Sequence, residues 1–328
     1  MIAPLALAAL AVALAWPIPL VLAHVSWPTR APAAALILWQ AIAIAGGLSM
    51  IGSLLTFGLA PFGDDLVSGA YRLASRGVAA ISLVNALALA GAVLLTFHLL
   101  LNLALTIVRS ERQRRRHANL LLLLSSPLPS GSRMIDSPAP VAYCLPGAIG
   151  SVTVVSAGLV ALLNDEELRA VVEHEKAHVS QRHDVVLVAF RAWYASLPWF
   201  PIAYRAQREV GLLIEMLADD RARRIVPHSV LARAILLVGA GRGGEPATAS
   251  LRDSASGRDS ASGGDGASVR DWVSGRDAAS IDDVRTRLAR LDARPLPKLA
   301  EALVVTAAIA LLAVPTVLIF APAVALLR

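Results

Sequence analysis

The sequence predicts a mainly α-helical membrane protein, with four transmembrane helices and an α+β domain between the third and the fourth. Three observations lead there. Of 328 residues, 56% are hydrophobic and 16% charged, whereas soluble domains run at about 45–50% apolar and about 25% charged. Four runs carry no charged side chain: Met1–Trp27, Ala31–Gly63, Gly77–Val108 and Ala302–Leu327. Each exceeds the ~20 apolar residues that cross a bilayer. Between the third and fourth runs, short β-type segments alternate with amphipathic stretches, as in a folded domain. The expected division is 1–108, three spans; 109–298, the domain; and 299–328, the last span.

This composition excludes an ordinary soluble protein and a disordered one. The single cysteine, Cys144, excludes a disulfide framework and a thiolate-rich metal site. A net charge of +6 raises the question of nucleic acid. The arginines gather beside apolar runs, so direct nucleic-acid binding is not expected and the bilayer is the first partner.

The first run lacks the positive n-region of a signal peptide and is too long for one; it is expected to be a retained helix. Arg109, Arg112, Arg114, Arg115 and Arg116 follow the third run. By the positive-inside rule that end is cytoplasmic, so the N-terminus is outside, the loop Pro61–Arg76 is outside, and 109–298 is cytoplasmic. The expected location is the cell membrane, multi-pass.

Within 109–298, Asn119–Leu124, Val141–Leu145 and Ser151–Val155 read as strands, and Ala157–Leu163 as a short helix. Asn164 is an N-cap with Glu167 at the third helical position, opening a helix to about Arg182. Val185–Ala203 is apolar but broken by Arg191, Pro198 and Pro201. It reads as a buried or membrane-grazing hairpin rather than a fifth span. A long helix follows from about Ile202 to Val226, then another over Ser229–Leu237. Residues 241–277 are rich in Gly, Ser, Ala, Asp and Arg and read as a flexible loop. Ile281–Leu291 is a short helix with Val284, Leu288 and Leu291 on one face.

His174-Glu175-Lys176-Ala177-His178 lies inside the capped helix. Residues four apart share a helix face, so both imidazoles can meet one ion, as tetrahedral zinc requires. Glu175, next in line, is placed to take a proton from water that zinc acidifies. A third ligand is needed. Asp184 stands where one zinc-protease pattern has its third histidine, and Gln181 replaces the hinge glycine of that pattern, so it fails. His183, five residues beyond His178, falls largely off the metal-facing side and reads, with Arg182, as the helix cap. Asp184 either pairs with an arginine of the second helix or supports the site. Glu215 is the better ligand, on a helix that can return against the first. Asp219, one turn on, can accept the second ring N–H of a ligand histidine. Glu175 and Asp219 are thus the catalytic candidates, and His174, His178 and Glu215 the ligands of one catalytic Zn2+.

The stretches Ala142–Gly147, Glu167–His178, Arg182–Asp184, Glu215–Asp219 and Val284–Leu291, set among hydrophobic helices, resemble the M56 family of membrane metallopeptidases, in its short actinobacterial form. That resemblance implies a gluzincin-type fold whose edge strand receives an extended peptide. It also implies cleavage of a protein such as a winged-helix transcriptional repressor at the cytoplasmic face. One departure concerns position: many such relatives carry an aspartate five residues beyond the second histidine, where this chain has His183. Another is that the penicillin-binding domain that larger relatives carry after the last span is not expected here. The expected function is a membrane-anchored zinc endopeptidase; the alternative is a signalling or scaffold protein with a structural metal. Charge-free spans speak against a transporter.

Overall fold

The computed structural model describes residues 2–63, 66–76, 81–128, 132–146, 151–197, 201–243 and 281–325. The chain forms two compact units. One comprises Met1–Arg109, Val185–Ile214 and Pro295–Arg328; the other comprises Ser110–Asp184 and Glu215–Arg294.

The first unit is helical. It contains α1 (Ile2–Ala15), α2 (Pro17–His24), α3 (Trp27–Arg30), α4 (Pro32–Leu59), α5 (Leu66–Arg76) and the start of α6 (Leu83–Leu124). It also holds α9 (His183–Ser196, from Val185), the start of α10 (Pro201–Ala222) and the last helix, α13 (Lys298–Ala325). Among the described residues, four stretches are long and apolar enough to cross a membrane: Ile2–His24, Pro32–Leu59, Leu83–Leu124 and Lys298–Phe320. The first is broken at Trp16, because Pro17 and Pro19 donate no backbone hydrogen bond to the preceding turn.

Close approach between these helices depends on small residues, as is usual in lipid. A Cβ on Gly52 would meet Ile319 of α13 at 2.6 Å, and one on Gly58 would meet Leu89 of α6 at the same distance. Asn85 of α6 donates to the Phe57 carbonyl of α4 at 2.9 Å. The α6 span turns large apolar side chains outward, Leu87, Val93, Leu94, Phe97 and Leu100 among them, a surface suited to acyl chains. The 14 residues of α9 reach about 21 Å at 1.5 Å per residue, short of the ~30 Å hydrocarbon core. It is therefore too short for a fifth span. Instead Trp193 of α9 packs over Gly47 of α4, and the His98 ring nitrogen Nε2 lies 3.0 Å from the Ser196 carbonyl. In the loop expected at Pro61–Arg76, Leu66–Arg76 is helical.

The second unit is a four-stranded sheet in the order β1-β2-β4-β3: β1 (Ser125–Pro127), β2 (Arg133–Ile135), β3 (Ala142–Pro146) and β4 (Ser151–Ser156). The β2–β4 pair is parallel and the other two pairs are antiparallel. Side chains alternate across the sheet. Tyr143 and Val154 pack with Leu121 at the end of α6. Ala142 and Val155 pack on the other face with Leu159 of α7 (Ala157–Leu162) and with Leu168, Val171 and Val172 of α8 (Asp165–Ser180). A further core joins Ala170 of α8, Ala222 of α10, Leu231, Ala234 and Ile235 of α11 (His228–Gly243), and Leu291 of α12 (Ile281–Leu291).

Several expectations need correction. Asn119–Leu124 is not a strand but the last turns of α6. Its five leucines favour helix and lack the β-branching that favours a strand, and the preceding helix simply continues. The boundary between the two units, Arg109/Ser110, lies inside that same continuous helix. Strands β1 and β2 extend the sheet beyond β4 instead, with β1 at the edge, and three residues each are too few to display an alternation. The helix expected to reach Val226 ends at Ala222. The one expected over Ser229–Leu237 runs on to Gly243, so residues 241–243 of the expected loop are helical. The remainder of that loop, 244–277, lies outside the described residues, as does Pro198.

Candidate metal centre

The first wall of the site is α8. Its start is fixed by the reciprocal cap: the Glu167 amide donates to Asn164 Oδ1 at 2.9 Å, and the Asn164 amide to Glu167 Oε2 at 3.0 Å. Asp165, Glu166 and Glu167 occupy the positive end of the helix dipole. Packing of Leu168, Val171 and Val172 on the sheet then sets which face of α8 turns away from the sheet. His174 and His178 lie on one face, ring centroids 5.0 Å apart.

The second wall is the end of α10. Glu215 Oε2 lies 3.2 Å from His174 Nε2, and Glu215 Oε1 lies 3.5 Å from His178 Nε2. The two histidine Nε2 atoms are 3.2 Å apart. Two ring nitrogens facing each other at that distance require a shared proton or a cation between them. Two ligand atoms each about 2.0–2.1 Å from a tetrahedral zinc would stand roughly 3.3–3.4 Å apart. The 3.2 Å between the two histidine nitrogens is close to that spacing, and the Glu215 carboxylate spans the pair, with Oε2 3.2 Å from His174 Nε2 and Oε1 3.5 Å from His178 Nε2. The donor set, two imidazoles and a carboxylate, fits zinc as well. Among the described residues, His174, His178 and Glu215 form the group able to hold a metal. Glu215 and His178 keep 35% and 17% of their side chains exposed, so the group is open on one side.

Behind the ligands sits a buried charge lattice. Asp219, 1% exposed, lies 2.9 Å from His174 Nδ1. Arg287 of α12 grips Asp219 with two bonds, Nε to Oδ2 at 2.8 Å and Nη2 to Oδ1 at 2.7 Å, and its Nη1 lies 3.2 Å from Glu215 Oε2. Arg290 grips Asp220 in the same bidentate way at 2.7 and 2.6 Å. Burial opposes charge on each group, yet the partners prevail. Asp219 falls to about 2 under Arg287 and His174. Glu215 is held well below the carboxylate range by the His178 and His174 rings and Arg287. In the metal-free protein, Asp219 and Glu215 raise His174 to about 9. A proton on that ring thus supplies the positive charge that the acidic surroundings demand.

Glu175 lies on α8, between the two ligand histidines in sequence, and is buried. The role of Arg287 has no counterpart in the sequence analysis. The available signal is the position of that arginine three residues from Val284 and four from Leu291, inside the apolar stripe of α12 and so facing the core.

The readings of His183 and Asp184 require correction. Arg182 has φ 50°, a left-handed conformation that ends α8, and His183 opens α9 instead of capping α8. The turn swings the His183 ring back, so that its Nδ1 lies 3.1 Å from His178 Nδ1 and its Nε2 2.8 Å from Gln181 Oε1. Burial and the neighbouring His178 lower His183 to about 4, a neutral ring. Asp184 pairs with Arg114 of α6, not with the second helix.

Residues 110–212 match Peptidase family M48. The match spans about a third of the chain, includes His174-Glu175-Lys176-Ala177-His178, and stops three residues before Glu215. It supports a membrane-associated metallopeptidase and names M48 where the sequence resemblance named M56. No curated protein and no solved structure matches the chain. The link from the matched segment to Glu215, Asp219 and Arg287 therefore rests on the geometry above.

Proposed function

We propose that this protein is a membrane-anchored zinc endopeptidase of the HExxH, gluzincin type, related to the M56 group, hydrolysing a peptide bond at the cytoplasmic face. The observation that carries this reading is the cluster of His174 Nε2, His178 Nε2 and the Glu215 oxygens at 3.2–3.5 Å, with Glu175 buried next to His174 in the chain. His174, His178 and Glu215 hold the ion, and Asp219 orients His174. When bound, zinc supplies the Lewis acidity that polarises a carbonyl and acidifies water.

The Glu175 carboxylate accepts a proton from water as the water oxygen bonds to the carbonyl carbon. It then delivers that proton to the amide nitrogen as the C–N bond breaks, leaving a carboxylic acid and an amine, which exchange the acid proton to give carboxylate and ammonium. Strand β3 is an edge of the sheet among the described residues and packs beside α8. An extended peptide adds to it by β-augmentation. The five arginines from Arg109 to Arg116 support a cytoplasmic site and an outside N-terminus. A regulatory protein substrate, such as a winged-helix repressor, follows from the M56 resemblance alone.

The alternative, a scaffold with a structural metal, lacks among the described residues the four closed ligands such sites favour. The two readings separate in one experiment, with full-length protein in detergent and unstructured β-casein as the probe. Glu175→Gln should keep wild-type zinc content and lose cleavage by at least about a hundredfold. Cleavage at the wild-type rate by the zinc-loaded variant would contradict the peptidase.

A further inference from the structure

The two histidines of the candidate centre are supported from behind by different chemistry. His174 turns its second nitrogen to a carboxylate, Asp219. His178 turns its second nitrogen to another imidazole. We propose that His183 is a positioning residue for His178, fixing its tautomer and ring orientation through a neutral relay that ends at Gln181. The inference rests on the metal reading above and extends it.

The proton positions follow from the partners. His178 Nε2 belongs to the ligand triangle, 3.2 Å from His174 Nε2 and 3.5 Å from Glu215 Oε1. A nitrogen that donates its lone pair to a cation carries no proton, so the His178 proton is on Nδ1. That atom lies 3.1 Å from His183 Nδ1. With His178 donating, His183 Nδ1 accepts, and its own proton sits on Nε2. His183 Nε2 lies 2.8 Å from Gln181 Oε1, an amide oxygen that only accepts. Each donor meets an acceptor along the whole relay, and reversing any link would oppose two protons or two lone pairs.

Local backbone makes the relay available. On an unbroken helix a residue five beyond His178 would stand roughly 140° round the axis and miss it. The left-handed Arg182, φ 50°, breaks α8 and returns His183 to His178. His183 is 3% exposed, so its ring cannot exchange these partners for bulk water. A carboxylate in its place would offer a similar acceptor but add a negative charge to a site that already holds Glu175, Glu215 and Asp219 against Arg287. The imidazole orients without adding charge.

The test measures zinc affinity of metal-stripped, full-length protein in detergent by chelator competition, for wild type, His183→Phe, His183→Asp, Gln181→Leu and His174→Ala. Partners of ligand histidines typically govern 10–100-fold in metal affinity. His183→Phe should bind zinc about 10–100-fold more weakly. His183→Asp, which restores an acceptor, should recover most of that loss, and Gln181→Leu should weaken binding by a smaller factor. A folded His183→Phe with wild-type affinity, or a His183→Asp as weak as His183→Phe, would overturn the assignment. If His183→Phe does not fold, Gln181→Leu and His183→Asp decide: unchanged affinity in the first, or collapse in the second, overturns it. Failure of the metal reading looks different, since wild type would then bind no more zinc than His174→Ala.

Discussion

The two walls of the candidate centre are built in opposite ways. On α8 nearly everything is local: the cap joins Asn164 to Glu167, and the ligands His174 and His178 are one turn apart. On α10, Glu215 and Asp219 are also one turn apart, but they are aimed by Arg287, 68 residues beyond Asp219. The difference teaches where each wall is vulnerable. The α8 wall fails by small, separable amounts, whereas the α10 wall depends on one long-range pair whose loss leaves a charge stranded.

The sharpest way to break the comparison is Arg287→Ala. It leaves the Asp219 carboxylate, 1% exposed, without its bidentate partner. Breaking a buried pair this way costs about 3–5 kcal/mol. Thermal or denaturant unfolding in detergent should show it, with Arg287→Lys in between because an ammonium cannot reproduce the two-pronged geometry. Loss under about 1 kcal/mol would place Asp219 in a wetter setting than the structure shows.

Acidity tests the same wall. Asp219 is shifted from 3.8 down to about 2, so its pair contributes fully above pH ~3.8 and is lost as pH falls through 2. Arg287→Ala should flatten that part of the stability profile. In the metal-free protein His174 is raised from 6.5 to about 9. Its proton therefore stabilises the metal-free fold below pH 6.5, and the contribution disappears as pH rises through 9. Zinc must displace that proton, so apparent zinc affinity should climb with pH throughout the range below about 9 and level off above it. Isothermal titration in buffers of different ionisation heat reads the released proton directly, and a pH-independent affinity across this window would contradict it.

The α8 wall should respond less. Asn164→Ala removes half of the reciprocal cap at a cost of about 1 kcal/mol, with zinc stoichiometry retained. Smallest of all is Lys176→Ala, which deletes the exposed pair with Glu173 at 2.8 Å. Its effect on unfolding should stay within about 0.5 kcal/mol, although Lys176 sits between the two ligand histidines in sequence.

The same contrast governs what the sequence discloses. The four apolar stretches, the Asn164 cap and the bounds of Ile281–Leu291 are legible because their causes lie within a few neighbouring residues. Glu215 is legible as a candidate because a carboxylate among Leu212, Leu213 and Leu217 needs a partner. Arg287 is not, being one of 30 basic residues with a partner far along the chain. His183 is misread because a left-handed arginine at 182 gives no signal in its residue type; a glycine there would have announced the reversal. The continuous α6 hides the change from apolar span to arginine-bearing helix, since both segments favour the same backbone.

The most direct test of the central claim is the zinc content and affinity of full-length Glu215→Ala beside wild type. If His174, His178 and Glu215 share one ion, wild type binds one zinc per chain and the variant loses most of that affinity while His174→Ala behaves alike. Glu215→Ala retaining one zinc per chain at wild-type affinity would remove Glu215 from the site and contradict the account.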